Sequence, residues 1–281
     1  MHVTPQELPA VAKLVRDLCG VVLDETKGYL IDSRLAEIAT AAACADFGDF
    51  CQKARSDMTL QNRIIDAITT QETLFFRDNS PFEALKQKAI PETIDIKASS
   101  PFPKRLRIWS AACSTGQEPY SIAMTLAEII PDIANWDINI LATDICDAAI
   151  AKASLGKYGR HEVQRGMSPL KLSKYFNEES DGWRIKEDLR YLIRFDRRNL
   201  LKPFTGLGPF DIFFCRNVAI YFETDVKRKL FNSLSDRLTP HGYLFTGSSE
   251  SLNSLDSRFK AQQHCRSVFY QPNKRPEPAR V

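Results

Sequence analysis

The chain has 281 residues, of which 43% are hydrophobic and 26% charged, and its formal net charge at pH 7 is +3. This balance is that of a globular protein large enough for one or two cores, which excludes extensive disorder. The small net charge gives no sign of nucleic-acid binding, and the longest apolar stretch, residues 39–45, is too short to span a bilayer.

The cysteines and histidines argue against disulfides and metal sites. Seven cysteines are scattered without a C-x-x-C pair, and the four histidines show no zinc-type spacing. We therefore expect buried free thiols in a reducing compartment and no metal. The N-terminus has no basic segment leading into an apolar run, so we expect a cytoplasmic protein without a signal peptide or membrane insertion.

The N-terminal part of the chain has the periodicity of helices. Apolar residues recur at helical spacing over residues 8–18 and 30–38, and residues 50–68 predict one further helix. No alternating strand pattern precedes residue 100. We predict an all-helical N-terminal domain with its linker over residues 1–85, and a loop at 99–103.

Short apolar runs then alternate with helical segments. The predicted strands lie at 106–109, 138–143, 211–215, 242–246 and 267–271, and the predicted helices run from Glu118 to Ile130 and from Val226 to Leu238. This alternation predicts an α/β domain over residues 86–281, built on a parallel sheet that is covered on both faces. A polar tail with two prolines, residues 273–281, is predicted to be disordered.

Residues of about 158–198 interrupt the alternation. Period-two patterns at 183–186 and 191–195, around the turn signal at Asp181 and Gly182, predict a small antiparallel β insertion. Residues 157–198 hold eleven basic and seven acidic side chains, whereas residues 1–66 hold seven basic and ten acidic ones. The basic segment is either a solvated surface or a docking face for an acidic partner.

The candidate site lies at the ends of the first two predicted strands. Gly116 lies in the small-residue turn after the first strand, where it would let a ligand approach the backbone, and Asp144 ends the second, where a carboxylate can bind a ribose diol. G-x-G-x-x-G and the P-loop pattern are both absent, which favours a nucleoside without phosphates, such as S-adenosylmethionine, over NAD or ATP. A purely structural turn followed by a strand-end acid is the alternative.

Four blocks carry a specific resemblance: residues 69–77 (TTQETLFFR), 109–121 (WSAACSTGQEPYS), 142–145 (ATDI) and 214–222 (FCRNVAIYF). Together, and in this order, they resemble the CheR family, the chemoreceptor glutamate methyltransferases. The resemblance covers residues of about 10–271. It implies a Rossmann-like S-adenosylmethionine-dependent methyltransferase sheet with an inserted β-subdomain and a helical N-terminal domain.

The resemblance also implies roles for individual residues. Glu118 would bind the amino group of the cofactor and Asp144 its ribose, and Arg77 would also orient the carboxylate that is methylated. The other cofactor contacts would be Gln71 (where the family usually has Asn), Thr73, Asn199, Leu200, Asn217 and Val218. The implied partner is the cytoplasmic helical bundle of a chemotaxis receptor, and S-adenosylhomocysteine is the implied product.

Recognition of the receptor is predicted to use the helical domain. The turn of the insertion is short and three of its six residues are acidic, so we expect no dependence on a tether at the receptor's C-terminus. Arg34, Lys53, Arg55 and Arg63 would instead have to share one face. A cofactor-binding adaptor without turnover, a methyltransferase for another protein or a small acid, and a nucleotide-binding oxidoreductase remain alternatives.

Overall fold

The N-terminal domain is a bundle of helices, as the sequence predicts. The computed structural model describes residues 1–99, 104–253, 255 and 257–273, so the predicted loop at 99–103 and tail at 273–281 lie almost wholly outside the described residues. The bundle consists of α1 (Leu8–Cys19), α2 (Gly28–Ala41), α3 (Phe47–Ala54) and α4 (Met58–Ile68), with a 3₁₀ turn at Glu25–Lys27. Its core includes the fully buried Val11, Val15, Ile31, Leu35 and Phe50.

The predicted single helix over residues 50–68 is wrong, because the chain breaks between α3 and α4. Asp57 has an extended backbone, and its carboxylate accepts the N–H of Leu60 at 3.0 Å. An aspartate in this position satisfies a free donor of the first helical turn and so starts a new helix. Asp46 begins α3 in the same way by accepting the N–H of Asp49 at 2.8 Å.

The second domain is a large sheet with helices packed against it. The helices are α5 (Ser80–Ala84), continued by a π-helical turn at Leu85–Ala89 into α6 (Ile90–Ala98), then α7 (Gln117–Ile129), α8 (Asp147–Leu155), α9 (Arg160–Gln164), α10 (Pro169–Tyr175), α11 (Glu187–Arg190) and α12 (Thr224–Ser235), with 3₁₀ turns at Ile133–Asn135 and Ala219–Tyr221. The strands are β1 (Arg105–Ala111), β2 (Asp137–Asp144), β3 (Lys157–Tyr158), β4 (Phe176–Glu179), β5 (Gly182–Ile185), β6 (Ile193–Arg197), β7 (Phe210–Cys215), β8 (Leu238–Thr246), β9 (Phe259–His264) and β10 (Ser267–Pro272).

The seven strands of the large sheet have the order β6-β2-β1-β7-β8-β10-β9. The first five are parallel, and β10 and β9 are added antiparallel at one edge. The chain moves outward from β1 through β2 to β6 and then crosses back to β7 on the other side of β1. Strand order therefore reverses between β1 and β7, which is where ligands bind in open α/β sheets.

The insertion is a separate three-stranded antiparallel sheet with the order β3-β5-β4. The predicted strand over residues 183–186 is confirmed as β5, but the pattern at 191–195 does not belong to this sheet. It is β6, which pairs in parallel with β2 in the large sheet. Ile193 and Phe195 pack there against the main core, so their alternation reflects one buried face of an edge strand.

Two other differences concern the C-terminal part of the sheet. Leu238, predicted to close a helix, instead begins β8 and pairs with Phe210. Strand β9 was not predicted, because its solvent-facing sequence is mostly polar.

All seven cysteines are free, and six are buried as expected. Across the described part of the chain, none of the helices has both the length and the apolar character needed to cross a membrane.

Candidate functional site

A cavity of about 310 Å³ lies where strand order reverses, between the carboxyl ends of the strands and the helical domain. Its sheet wall comes from residues that follow β1, β2, β6 and β7. Its helical wall is largely apolar, and the linker between the domains closes one side. The helical wall comprises Cys19, Val21, Val22, Leu23, Lys27, Leu30, Arg34 and Ile68. Tyr221 and Phe222, which belong to the second domain, line the cavity beside this wall.

Asp144, the last residue of β2, lines the sheet wall of the cavity. One carboxylate oxygen accepts the N–H of Ser114 at 2.8 Å, and the other accepts the N–H of Cys146 at 3.0 Å. Burial raises the pKa of Asp144 above its ordinary value, although these backbone donors act in the opposite direction. Each oxygen keeps a further acceptor position, so the carboxylate can bind two hydroxyl groups of a ribose.

Glu118, in the first turn of α7, is a second buried carboxylate that lines the cavity. Its oxygens accept from the hydroxyl of Ser110 at 2.8 Å and from the guanidinium of Arg216 at 2.9 Å. Burial raises the pKa of Glu118, and Arg216, Ser110 and Arg77 oppose that shift. The acceptor positions that remain fit an ammonium group.

The linker residues lie at the cavity, as predicted. Gln71 and Thr73 line it, and the side-chain oxygen of Gln71 accepts from the hydroxyl of Ser114 at 2.8 Å. Gln71 therefore ties the linker to the turn after β1. Arg77 also lines the cavity, and its guanidinium donates to the carbonyl of Glu72 at 2.9 Å. Within the described residues, no carboxylate lies at ion-pair distance from it.

Asn199, Leu200, Asn217 and Val218 all line the cavity, but the two asparagines are held by protein contacts. The side chain of Asn199 donates to the carbonyl of Leu18 at 2.9 Å and accepts the N–H of Leu201 at 2.9 Å, so it connects the two domains. Asn217 has a φ of +57°, and its N–H donates to Glu250 at 2.7 Å. What these residues contribute to the cavity surface is therefore partly main chain.

Gly116 is the one predicted contact that is not among the residues lining the cavity. Its φ is +98°, and a Cβ there would lie 2.8 Å from both Ala153 Cβ and the hydroxyl of Tyr158. The glycine thus allows the turn to pack against α8 and the insertion. Close approach of a ligand to Gly116, the reason given for it from the sequence, stays a prediction.

Two buried charged residues that were not predicted from the sequence organise the sheet wall. Arg216 directly follows β7 and binds Glu118. Glu250 accepts four backbone N–H groups, from Asn217, Val218, Ile220 and Gly247, at 2.7–3.2 Å. A charged residue at the end of a buried strand was the available signal for Arg216, as it was for Asp144. The four bonds of Glu250 arise only in the folded chain.

The four basic residues proposed for receptor docking do not share one face. Arg34 lines the cavity and donates to the carbonyl of Ile68 at 2.8 Å. Lys53 and Arg63 line a different depression, on the outside of the helical domain. Arg34 must therefore be removed from that set.

Strand order reverses between β1 and β7, a buried carboxylate lies at the end of β2, and the first turn has no phosphate-binding glycine pattern. These features define a nucleoside-binding, Rossmann-like domain. Comparison with family models gives two adjacent matches. Residues 6–69 match the all-alpha domain of CheR methyltransferases, and residues 71–268 match their SAM-binding domain.

Similar proteins agree with these matches over nearly the whole chain. The chain is 39% identical to the chemotaxis protein methyltransferase 1 of Pseudomonas aeruginosa over 90% of this chain and 92% of that one. It is 36% identical to the chemotaxis protein methyltransferase of Vibrio parahaemolyticus over 95% of this chain and 97% of that one. The chain belongs to the CheR methyltransferase family, and its cofactor is S-adenosylmethionine.

Proposed function

We propose that this chain acts in the cytoplasm and methylates glutamate side chains of chemotaxis receptors, giving glutamyl methyl esters. The observation that carries the proposal is that Arg77 lines the cofactor cavity while, among the described residues, no carboxylate lies at ion-pair distance from its guanidinium. Its charge is available to an incoming carboxylate. The names of the relatives from Pseudomonas and Vibrio support a chemotaxis protein as the substrate.

The residues of the cavity suit methyl transfer to a carboxylate. When bound, S-adenosylmethionine supplies a sulfonium methyl group, whose carbon bonds to a carboxylate oxygen while the carbon–sulfur bond breaks and its electron pair stays on sulfur. A glutamate with an ordinary pKa of about 4.3 is already ionised at pH 7, so no side chain has to remove a proton. Arg77 stays protonated and orients the carboxylate, and the apolar helical wall excludes water.

The cofactor contacts follow from the acceptors and the shape of the cavity. Asp144 would bind the ribose hydroxyls and Glu118 the ammonium group, since each carboxylate oxygen has an acceptor position left. Gln71 and Thr73 would close the linker side. The adenine side would be formed by Asn199, Leu200, Asn217 and Val218.

The test is transfer of a labelled methyl group from the cofactor to receptor-containing membranes. We expect label that base releases, as an ester requires, and peptide mass spectrometry that finds the added CH₂ on glutamate. A receptor whose modified glutamates are replaced by alanine is the control and should take up no label. Base-stable label, or label on another residue type, would contradict the glutamate ester. Cofactor binding with no transfer to any receptor would point to an adaptor.

We also propose that receptor binding does not depend on a tether at the receptor's C-terminus. The β4–β5 turn is only Ser180 and Asp181, which leaves little loop to grip a peptide. Its acidic charge is not a reason, contrary to the sequence argument, because Lys157 pairs with both Glu179 and Asp181. Calorimetric titration of the receptor tail peptide should show no binding, and low-micromolar binding that is lost on mutating the insertion would disprove this proposal.

A further inference from the structure

Arg216 stands between the cofactor side of the cavity and the linker that carries Arg77. It follows β7 directly, and only 2% of its side chain is exposed. One terminal nitrogen donates to the Glu118 carboxylate at 2.9 Å. The other donates to the Asp78 carboxylate at 2.7 Å and to the backbone carbonyl of Arg77 at 2.9 Å. One guanidinium thus binds a carboxylate on each side.

These contacts need the planar shape of arginine as well as its charge. The two terminal nitrogens point to different elements, α7 and the linker, and a lysine ammonium presents one compact charge that cannot reproduce that fork. The cluster holds one cation and two carboxylates. The ammonium of a bound cofactor at Glu118 would bring it to charge balance.

The linker segment that Arg216 holds has an unusual backbone. Phe76, Asp78 and Asn79 have φ values of +52°, +67° and +45°, and none of them is glycine. Left-handed conformations of this kind are unfavourable for residues other than glycine and persist only where surrounding contacts enforce them. The bond from Arg216 to the Arg77 carbonyl lies inside this strained run.

We propose that Arg216 is a positioning residue that holds Glu118 for the cofactor and, through the same guanidinium, fixes the linker so that Arg77 faces the substrate carboxylate. The Arg77 half of this role rests on the proposed function. The Glu118 half depends only on S-adenosylmethionine binding. A single side chain therefore sets the cofactor site and the substrate-orienting group relative to each other.

The experiment compares Arg216→Met and Arg216→Lys with the wild type. Calorimetry gives the Kd of S-adenosylhomocysteine, and methyl transfer to receptor membranes at saturating cofactor gives kcat. Arg216→Met should weaken binding at least about tenfold, the scale of a lost charged hydrogen bond. It should lower kcat about 100-fold through misplacement of Arg77. Arg216→Lys should restore either the wild-type Kd or the wild-type kcat, and not both.

The matched control is Arg107→Met, which removes an arginine that pairs with Asp137 at the other end of β1 and β2. It should leave both Kd and kcat within about twofold, since distant sites act independently. Adding Glu118→Gln to Arg216→Met should cost little further affinity, because residues that act as one unit are not additive.

Several results would overturn the role of Arg216. Full recovery of both Kd and kcat in Arg216→Lys would mean that Arg216 acts only as a buried charge. Unchanged Kd and kcat in a folded Arg216→Met would mean that Arg216 has no positioning role. If the Met variant does not fold, as judged by circular dichroism, the Lys variant decides, because it keeps the charge and much of the volume. A wild type that binds S-adenosylhomocysteine but methylates no receptor would refute the proposed function, and the Kd comparison would still decide the Glu118 half.

Discussion

The two walls of the cofactor cavity are built on different principles. The sheet wall is polar, and its carboxylates and backbone turns are fixed by many short hydrogen bonds, such as those of Asp144 and Glu250. The helical wall is mostly apolar and is held to the second domain by hydrogen bonds, an exposed ion pair and apolar packing. We expect the sheet wall to recognise the cofactor specifically and the helical wall to exclude water.

Hydrogen bonds between the domains hold the helical wall in place, including that from the side chain of Asn199 to the carbonyl of Leu18 at 2.9 Å. The N–H of Val22 donates to the carbonyl of Tyr221 at 3.1 Å, and an exposed ion pair joins Arg16 to Glu223 at 3.0 Å. An exposed ion pair contributes little, about 0–1 kcal/mol. Apolar packing adds to these contacts, including that of Gly20 against Phe222. Mutations in the two walls should consequently differ in what they change.

The largest effect is expected at the linker, between the walls. Arg77→Ala should lower kcat about 100-fold, because the carboxylate is no longer oriented, and should change cofactor affinity much less. Steady-state kinetics with varied cofactor and receptor separate the two quantities. A rise in the cofactor constant with unchanged kcat would make Arg77 a cofactor ligand only.

A smaller effect is expected in the sheet wall. Asp144→Ala should weaken binding of S-adenosylmethionine and S-adenosylhomocysteine by about 1.5–3 kcal/mol, the range for hydrogen bonds to a charged group. Calorimetry measures the difference directly. Equal affinity in the wild type and the variant would remove Asp144 from the site and would weaken the distinction between the two walls.

The sequence predicted the sheet wall better than the helical wall. Strand ends in a parallel sheet meet at one edge, so Asp144 could be located from chain order alone. Leu30 has the same apolar character and spacing as core residues of the bundle, and only the packing of the domains brings it to the cavity. Arg34 was misjudged for the same reason, since a surface-like arginine turned out to line the site.

Local patterns were also ambiguous where tertiary pairing decides. The alternation at 191–195 fits an antiparallel hairpin as well as the edge of a parallel sheet, and its pairing with β2 cannot be read from period two. Gly116 has a similar ambiguity. A glycine in a turn fits close approach by a ligand and close packing by protein equally well, and here Ala153 and Tyr158 occupy the space.

The smallest effect is expected in the helical wall, from Gly20→Ala. Gly20 follows α1 with a φ of +80°, and a Cβ there would lie 2.8 Å from the ring of Phe222, across the domain interface. The left-handed backbone alone should cost about 1–2 kcal/mol of stability. The added contact should also push the helical wall from the sheet, so cofactor affinity should fall a few-fold while the carboxylates of the sheet wall stay in place.

Gly206→Ala separates the two causes, because Gly206 has a φ of +74° and no atom within 4 Å of its would-be Cβ. Thermal unfolding should show a loss of stability in both variants, larger in Gly20→Ala because of the contact with Phe222, and calorimetry should show weaker cofactor binding only in Gly20→Ala. Equal affinity in both would mean that the helical wall contributes to cofactor binding only through overall stability.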